Sequence, residues 1–247
     1  MNKYQYNDLL IRSQDPYANA KYEIILGWIK EKKIKKILVA GCGSGELSIT
    51  LAQNGYDVTG FDLDQDYIDL ANKNLRKLKI KNCQFEVAGI EKYTNKTKYD
   101  VVIATDVLEH IADDKTAFEK LTTFIKQNGS VIITVPAGQY LFGFHDDKLG
   151  HFRRYSINSF KKIVPTNLQT EKVRYFGFFL IPIAFWISKI AKKSYPVAAS
   201  GDKKNNPIIS RVLNIIFHIE KGVSFPLGTS LLFLGKKNPL DLSLRGS

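Results

Sequence analysis

Between Ala18 and Glu31, Ile24, Ile25, Trp28 and Ile29 fall on one helical stripe with charge opposite, which predicts a surface helix. A short unbroken apolar run follows, Ile37-Leu38-Val39-Ala40, and ends in glycines. Such runs fit strands buried on both faces, as in a parallel sheet. Residues 46–54 have helical spacing, and Asn54-Gly55 supplies the stop signal. The same alternation continues through a strand at Asp57–Phe61, a helix at Gln65–Lys79 and a strand at Gln84–Val87. A fourth strand is expected at Val101–Ala104, then a charged helix at Asp113–Lys126 closed by Asn128-Gly129. A fifth strand, Ser130–Val135, is halted by Pro136. Strand alternating with helix predicts a doubly wound, mostly parallel α/β sheet.

After Pro136 the pattern changes. Residues 137–160 are polar and aromatic with dense His, Asp and Arg, the character of an active-site loop. Thr170–Phe176 and Ser230–Leu234 read as a sixth and a seventh strand. Between them lies an insertion, 177–229, holding the amphipathic run PIISRVLNIIFHIEK. It also takes in most of the apolar segment YFGFFLIPIAFWI (175–187), which is broken by Pro182 and followed by Lys189, Lys192 and Lys193. At about 1.5 Å per residue that segment is too short to cross a bilayer as a helix. Aromatics beside lysines suit a lid over a greasy substrate or a segment lying on an anionic membrane; a core helix with solvated lysines is the plainer alternative. The organisation expected is an N-terminal helical cap (1–29), a core (30–176 with 230–237), the helical insertion (177–229) and a tail (238–247). The tail's Arg245-Gly246-Ser247 looks like the remnant of a purification tag.

The chain has 247 residues, 44% hydrophobic and 24% charged, an ordinary globular composition. Cys42 and Cys83 fit neither a disulfide framework nor a zinc knuckle. The start, MNKYQYNDLLIRSQD, lacks the layout of a secretory signal, so a cytoplasmic location is expected, with contact at the inner membrane face if the insertion lies on lipid. Net charge is +12, and all of it lies in residues 151–247, where 16 basic side chains face 4 acidic ones. Residues 1–150 carry 20 of each. A neutral front and a basic back point to an anionic partner: nucleic acid, a phosphate-bearing substrate or an acidic lipid surface.

The loop after the first strand reads Gly41-Cys42-Gly43-Ser44-Gly45-Glu46. Glycines at alternate positions let the backbone bend sharply and approach a ligand, and the next helix aims free N–H groups at the loop. Asp62 ends the second strand, 21 residues beyond Gly41, where it can accept hydrogen bonds from both ribose hydroxyls. A dinucleotide fingerprint requires glycine at the position held by Glu46, which argues against NAD and FAD.

With YDVVIATDVLEHI downstream, VAGCGSGELSITLAQNGYDVTGFDLD resembles a class I S-adenosylmethionine-dependent methyltransferase of the methyltransferase domain 11/12 type. The likeness covers roughly residues 30–160 and extends to SLLFLGKK. It implies a Rossmann-like seven-stranded sheet with the last strand antiparallel. It also implies a methionine moiety along Gly41, Gly43 and Gly45, a ribose on Asp62, and further cofactor contacts from Cys42, Leu63, Ile90, Thr105 and Asp106. The family often carries an acid after the third strand for the adenine amino group. Here the stretch is Val87-Ala88-Gly89-Ile90, leaving adenine to backbone near Ile90 and to Glu91.

Methyl transfer to a hydroxyl needs alignment and a base, and histidine titrates in the right range. His145 and His151 bracket HDDKLGHFRRY just past the fifth strand, where doubly wound folds bind ligands. The GHxRRY stretch resembles one in many bacterial methyltransferases of this type. Either histidine is a candidate base, oriented by Asp146 or Asp147. Arg153 and Arg154, with Tyr155, are candidates to hold an anionic substrate group. The bland alternative is that these residues cap a helix near Ser156 and form surface ion pairs. Asp106, Glu109 and His110 resemble the D-x-x-E-H metal site of some quinone-biosynthesis O-methyltransferases. The same sequence also occurs without metal, Asp106 suits a helix cap, and no metal is assigned.

The expected function is methyl transfer from S-adenosylmethionine to oxygen of a small or lipid-linked acceptor bearing anionic groups. The alternatives are an RNA or protein methyltransferase using the basic C-terminal face, and a non-catalytic cofactor-binding module. Against RNA, no separate binding module or stacking signature is visible.

Overall fold

A computed structural model describes residues 15–30, 33–193 and 207–238. The sequence start and the Arg245-Gly246-Ser247 tail lie outside the described residues. Seven strands form one sheet in the order β3-β2-β1-β4-β5-β7-β6. β1 (Lys36–Ala40), β2 (Asp57–Asp62), β3 (Cys83–Val87), β4 (Tyr99–Thr105) and β5 (Ile125–Pro136) pair in parallel. β7 (Ser230–Lys237) runs antiparallel to β5 and to the edge strand β6 (Leu168–Phe176). This is the doubly wound, Rossmann-like sheet with an antiparallel last strand that the sequence predicts.

The unbroken apolar runs are explained by helices on both faces. On one face Ile37, Val39, Val101 and Ile103 pack with Ile25 and Ile29 of α1 (Pro16–Ile29) and Leu47 and Leu51 of α2 (Glu46–Gln53); Ile68 of α3 (Gln65–Leu78) joins them. On the other, Leu38, Ala40, Val102 and Ile133 meet Phe118 and Leu121 of α4 (Asp114–Thr123). Each buried aliphatic side chain contributes about 2 kcal/mol, so the central strands are the most strongly held part of the chain.

α1 starts on Asp15, whose carboxylate accepts from Tyr17 N at 2.9 Å, with Pro16 at the first helical position. It is built into the main core through Ile25 and Ile29.

α4 ends at Thr123, earlier than Asn128-Gly129 suggests. Phe124 and Ile125 are buried, and Ile125 already pairs with Tyr99. Residues 126–129 bulge out of register, and Asn128 takes a left-handed φ of 61°. The stop signal therefore serves a bulge inside β5.

Residues 137–160 are more ordered than a loop. They hold α5 (Phe144–Leu149) and α6 (Ile157–Lys161) and bury Asp146, Tyr155 and Phe160. In the insertion, α7 (Ile181–Phe185) runs into a π-turn, Trp186–Ile190, and α8 (Pro207–Gly222) packs on α1. A buried carboxylate and a half-buried guanidinium fasten this insertion. Glu220 accepts from Gly177 N at 2.6 Å and Phe179 N at 2.9 Å, and Arg174 donates to the carbonyls of Glu220, Lys221 and Val223.

Candidate functional site

The carboxyl ends of β1, β2 and β4 meet at the glycine loop. Gly41, Gly43 and Gly45 all have positive φ (64°, 53° and 87°), the region where only glycine is unstrained. A Cβ on Gly41 would lie 2.4 Å from Val107 Cγ2, and one on Gly45 would lie 2.7 Å from the Phe85 ring. No side chain caps the start of α2, whose positive end faces the loop. Asp62 closes the bend by accepting from Gly43 N at 2.9 Å and Asp64 N at 3.1 Å. Burial raises its pKa, opposed by those backbone hydrogen bonds.

Leu63 stands 75% exposed beside this carboxylate, and a Cβ added to Gly89 would touch Leu63 Cδ1 and Glu91 Oε2 at 3.4 Å each. Cys42 is buried, its thiol pushed up by burial, and its N–H is spent on Phe61 O. Only its backbone frames the loop. Thr105 ends β4 in register with Thr134. Asp106 follows at φ 54°, accepts from Thr134 Oγ1 at 3.1 Å and forms an ion pair with Lys21.

A second cluster lies past β5. Asp146, fully buried, accepts from Gly143 N at 3.0 Å, His151 Nδ1 at 2.8 Å and Arg154 Nε at 2.8 Å. Burial works against its charge, but the His151 and Arg154 partners prevail and hold the carboxyl down at about 2. In the tautomer that donates Nδ1–H to Asp146, His151 keeps a lone pair on Nε2. That nitrogen lies 4.0 Å from Glu109 Oε1, and the ring meets His110 edge-on at 4.6 Å. His145, one residue before Asp146, is held down at about 4 by burial, which makes it a weak base. Asp147 is exposed, and Asp146 is the carboxylate that orients His151.

Of the residues expected to grip an anion, two are buried and one lies at the surface. Arg154 is buried on Asp146, and its N–H donates to Gln139 Oε1. Tyr155 is buried with its hydroxyl donating to Asp114 at 2.6 Å. Arg153 stays at the surface, held by Asp114 at 2.7 Å and Ala112 O at 2.8 Å. Arg154 thus turns to Asp146 within the same segment, whereas Arg153 and Tyr155 reach partners 41 positions away that the local pattern does not reveal.

Glu109, His110 and His151 offer ligand atoms within 4.8 Å of one another, a donor set a borderline divalent cation accepts. Asp106, expected alongside Glu109 and His110, turns instead to Lys21 and Thr134. Sequence reasoning missed Lys21 and Tyr17 of α1. The only trace was a lysine at an inward position of an otherwise apolar helical stripe.

Residues 31–171 match the family model described as a methyltransferase domain. The chain belongs to the methyltransferase-domain family. Its fold is that of the class I enzymes, whose cofactor is S-adenosylmethionine, and the bare glycine loop with Asp62 at its edge fits that molecule. The ubiquinone biosynthesis O-methyltransferase of Rickettsia prowazekii is 37% identical over 113 residues, covering 44% of each chain. The enzyme of the same name from Aeromonas salmonicida is 30% identical over 115 residues, covering 44% of this chain and 48% of its own. The chain thus matches about half the length of these relatives. Among solved structures, a S-adenosylmethionine-dependent methyltransferase from Clostridium acetobutylicum superposes with a TM-score of 0.61 at 15% identity, covering 94% of this chain and 96% of that one.

Proposed function

We propose that the protein transfers a methyl group from S-adenosylmethionine to oxygen of a small or lipid-linked acceptor that carries anionic groups, working at the cytoplasmic face of an anionic membrane. The observation that carries the chemistry is the buried Asp146–His151 pair. It sits beside Glu109 and His110 at the end of the sheet where the cofactor loop opens. Once bound, the cofactor's sulfonium supplies an electron-poor methyl for in-line displacement. The protein's part is alignment and removal of the hydroxyl proton. Asp146 fixes the His151 ring, so Nε2 takes that proton and the resulting imidazolium faces the Glu109 carboxylate. Both matched relatives are named as O-methyltransferases, which supports oxygen as the acceptor atom.

Two apolar stripes at helical spacing support the membrane. Ile183, Trp186 and Ile190 face outward along α7 and the π-turn, with Trp186 58% and Ile190 63% exposed. Val212, Ile215 and Ile219 do the same on α8, whose opposite face is buried against α1. Exposed Lys189, Lys192, Lys193 and Arg211 accompany them. Such apolar faces with basic neighbours suit a segment lying in an anionic lipid interface. Among the described residues no helix is long and apolar enough to cross a membrane.

The test is methyl uptake from S-adenosylmethionine by a panel of hydroxylated acceptors, with and without an isoprenoid chain and a carboxylate, beside sedimentation with phosphatidylglycerol and phosphatidylcholine vesicles. O-methyl product is expected, with kcat lowered about 100-fold or more in His151→Ala. Binding to the anionic vesicles should weaken with salt and in Trp186→Ser. Uptake at nitrogen or carbon only, or full activity of His151→Ala, overturns the chemistry. Absence of vesicle binding at low salt overturns the membrane site.

A further inference from the structure

We infer that a cleft at the amino ends of β1, β2 and β3, framed by Lys36, Asp57 and Lys81, is a binding site for a small phosphorylated sugar. It lies apart from the glycine loop and from the acceptor side, and it does not depend on the function proposed above.

The cleft exists because one crossover lacks a helix. The connections β1–β2, β2–β3 and β4–β5 each carry one, whereas residues 88–98 between β3 and β4 carry none. Tyr93 from that connection stacks on Phe61 at 4.0 Å and covers the carboxyl half of β2. The amino half of the same sheet face stays open as a cleft of about 350 Å³, within the size range of small-molecule sites. Strand alternation puts Lys36, Asp57, Thr59 and Gln84 on this face, the one that carries Leu38 and Phe61. Asp57 and Asp62 stand at opposite ends of β2, so the cleft lies about 17 Å from the carboxylate of the glycine loop.

Its frame is fixed in advance. Asn82 Nδ2 donates to Ala52 O and Tyr56 O at 2.8 Å each, which anchors the turn that carries Lys81. Asp100 accepts from Lys36 N at 2.8 Å and holds the start of β1. On the floor, Gln84 Nε2 donates to Thr59 Oγ1 at 3.2 Å. On the far wall, Asn95 Nδ2 donates to the Tyr93 and Tyr99 hydroxyls at 3.1 and 3.3 Å, and its Oδ1 accepts from Thr97 N at 2.8 Å.

The charged groups on this frame are left over. Lys36 and Asp57 stand in register on neighbouring strands, yet Lys36, Asp57 and Lys81 are all exposed and form no ion pair among the described residues. Two ammonium groups beside one carboxylate give the cleft a net charge of +1, which favours an anion. Lysine serves phosphate as a point charge, and a carboxylate accepts hydrogen bonds from hydroxyl groups. A ligand that satisfies all three carries a phosphate at one end and hydroxyls at the other. The one aromatic residue lining the cleft, Tyr99, is 2% exposed, so a nucleobase has no ring face to stack on.

Isothermal calorimetry at low salt tests the site, with glucose 6-phosphate as the probe beside inorganic phosphate, glucose and adenosine 5′-monophosphate. Glucose 6-phosphate is expected to bind at least about fivefold more tightly than the other three. Lys36→Met and Lys81→Met should each weaken it about fivefold or more. Asp57→Asn should weaken it as well, although this change raises the net charge and would strengthen an unspecific anion. Lys172→Met, on the opposite edge strand, should change it less than twofold. Saturation with S-adenosylhomocysteine should leave the affinity unaltered. Thermal melting identifies a variant that fails to fold, and the remaining ones then decide. Inorganic phosphate binding as tightly as the sugar phosphate, or equal weakening in Lys172→Met, reduces the cleft to the general pull of a basic protein on anions and overturns the inference. Tighter binding of adenosine 5′-monophosphate, displacement by S-adenosylhomocysteine, or no binding at millimolar glucose 6-phosphate overturns it equally.

Discussion

Replacing Asp146 by asparagine tests the geometry of the acceptor side most directly. The carboxylate is fully buried and collects three donors, His151 Nδ1 and Arg154 Nε at 2.8 Å and Gly143 N at 3.0 Å. Asparagine keeps the shape but offers one acceptor oxygen and one amide NH2. One of the three donors is then set against another donor, and the Arg154 guanidinium, 3% exposed, loses its counter-charge. Breaking a buried ion pair from one side costs about 3–5 kcal/mol. For a chain of this size, with a urea slope of roughly 3 kcal/mol per molar, the unfolding midpoint should fall by about 1–2 M. Urea denaturation followed by circular dichroism reads this directly. Arg154→Met in the same background should recover part of the loss, since the double variant removes both charges. A loss under about 1 kcal/mol, or strictly additive single and double variants, would show that the two groups do not form the buried pair described here. Where Asp146→Asn folds, methyl transfer should still be slow, because His151 has lost the carboxylate charge that steadies its imidazolium.

Two further outcomes follow from the same side of the sheet. Burial holds His145 at about 4 against an ordinary 6.5, so below pH 6.5 the unfolded chain takes up a proton the folded chain refuses. Stability should fall as pH drops from 6.5 towards 4, by about 1–2 kcal/mol at pH 5 from this residue, and His145→Gln should flatten that slope in urea midpoints taken at pH 7 and pH 5; parallel slopes in the two proteins count against it. Gly41→Ala places a Cβ 2.4 Å from Val107 Cγ2 at φ 64°. About 1–2 kcal/mol of stability should be lost, with S-adenosylhomocysteine binding weakened at least tenfold by calorimetry. Unchanged affinity would mean that the ligand does not run along this backbone.

The parts of the fold that could be read from sequence are those whose partners lie close in the chain or whose environment is uniform. β1 and β4 are covered on both faces, so Ile37–Ala40 and Val101–Ala104 appear as unbroken apolar runs. β6 lies at the edge with Gln169–Lys172 exposed, which blurs its start; it begins at Leu168, before the expected Thr170. The cofactor loop and Asp62 belong to one strand–helix–strand unit, and their geometry is fixed within about twenty residues. The acceptor side is different. The density of His, Asp and Arg in 145–155 marked the segment, but the direction of each side chain depends on remote groups. Tyr155 turns inward because Asp114 waits 41 positions away, and Arg154 because Asp146 is buried beneath it. Lys21 and Asp106 are 85 positions apart, and nothing local relates them.

The insertion and the acceptor side are also mechanically joined, and this gives the basic C-terminal part its place in the molecule. Of its ionic groups, Arg154, Arg174 and Glu220 are used up inside the fold, while Lys189, Lys192, Lys193 and Arg211 stay at the surface beside the apolar stripes. A lysine near an anionic surface contributes about 1 kcal/mol, so on the proposed membrane site these charges alone would give weak and salt-sensitive attachment, and the apolar stripes would have to supply the rest. The π-turn Trp186–Ile190 has a second face. Ser188 is buried, and its Oγ lies 2.6 Å from the point a Cβ on Gly143 would occupy. Gly143 in turn donates its N–H to Asp146. One five-residue turn thus presents Trp186 and Ile190 outward and backs, through Gly143, onto the carboxylate that orients His151. Substitutions on its outer face should therefore act on lipid binding alone. Under the proposed function, those that shift its backbone should disturb vesicle binding and methyl transfer together.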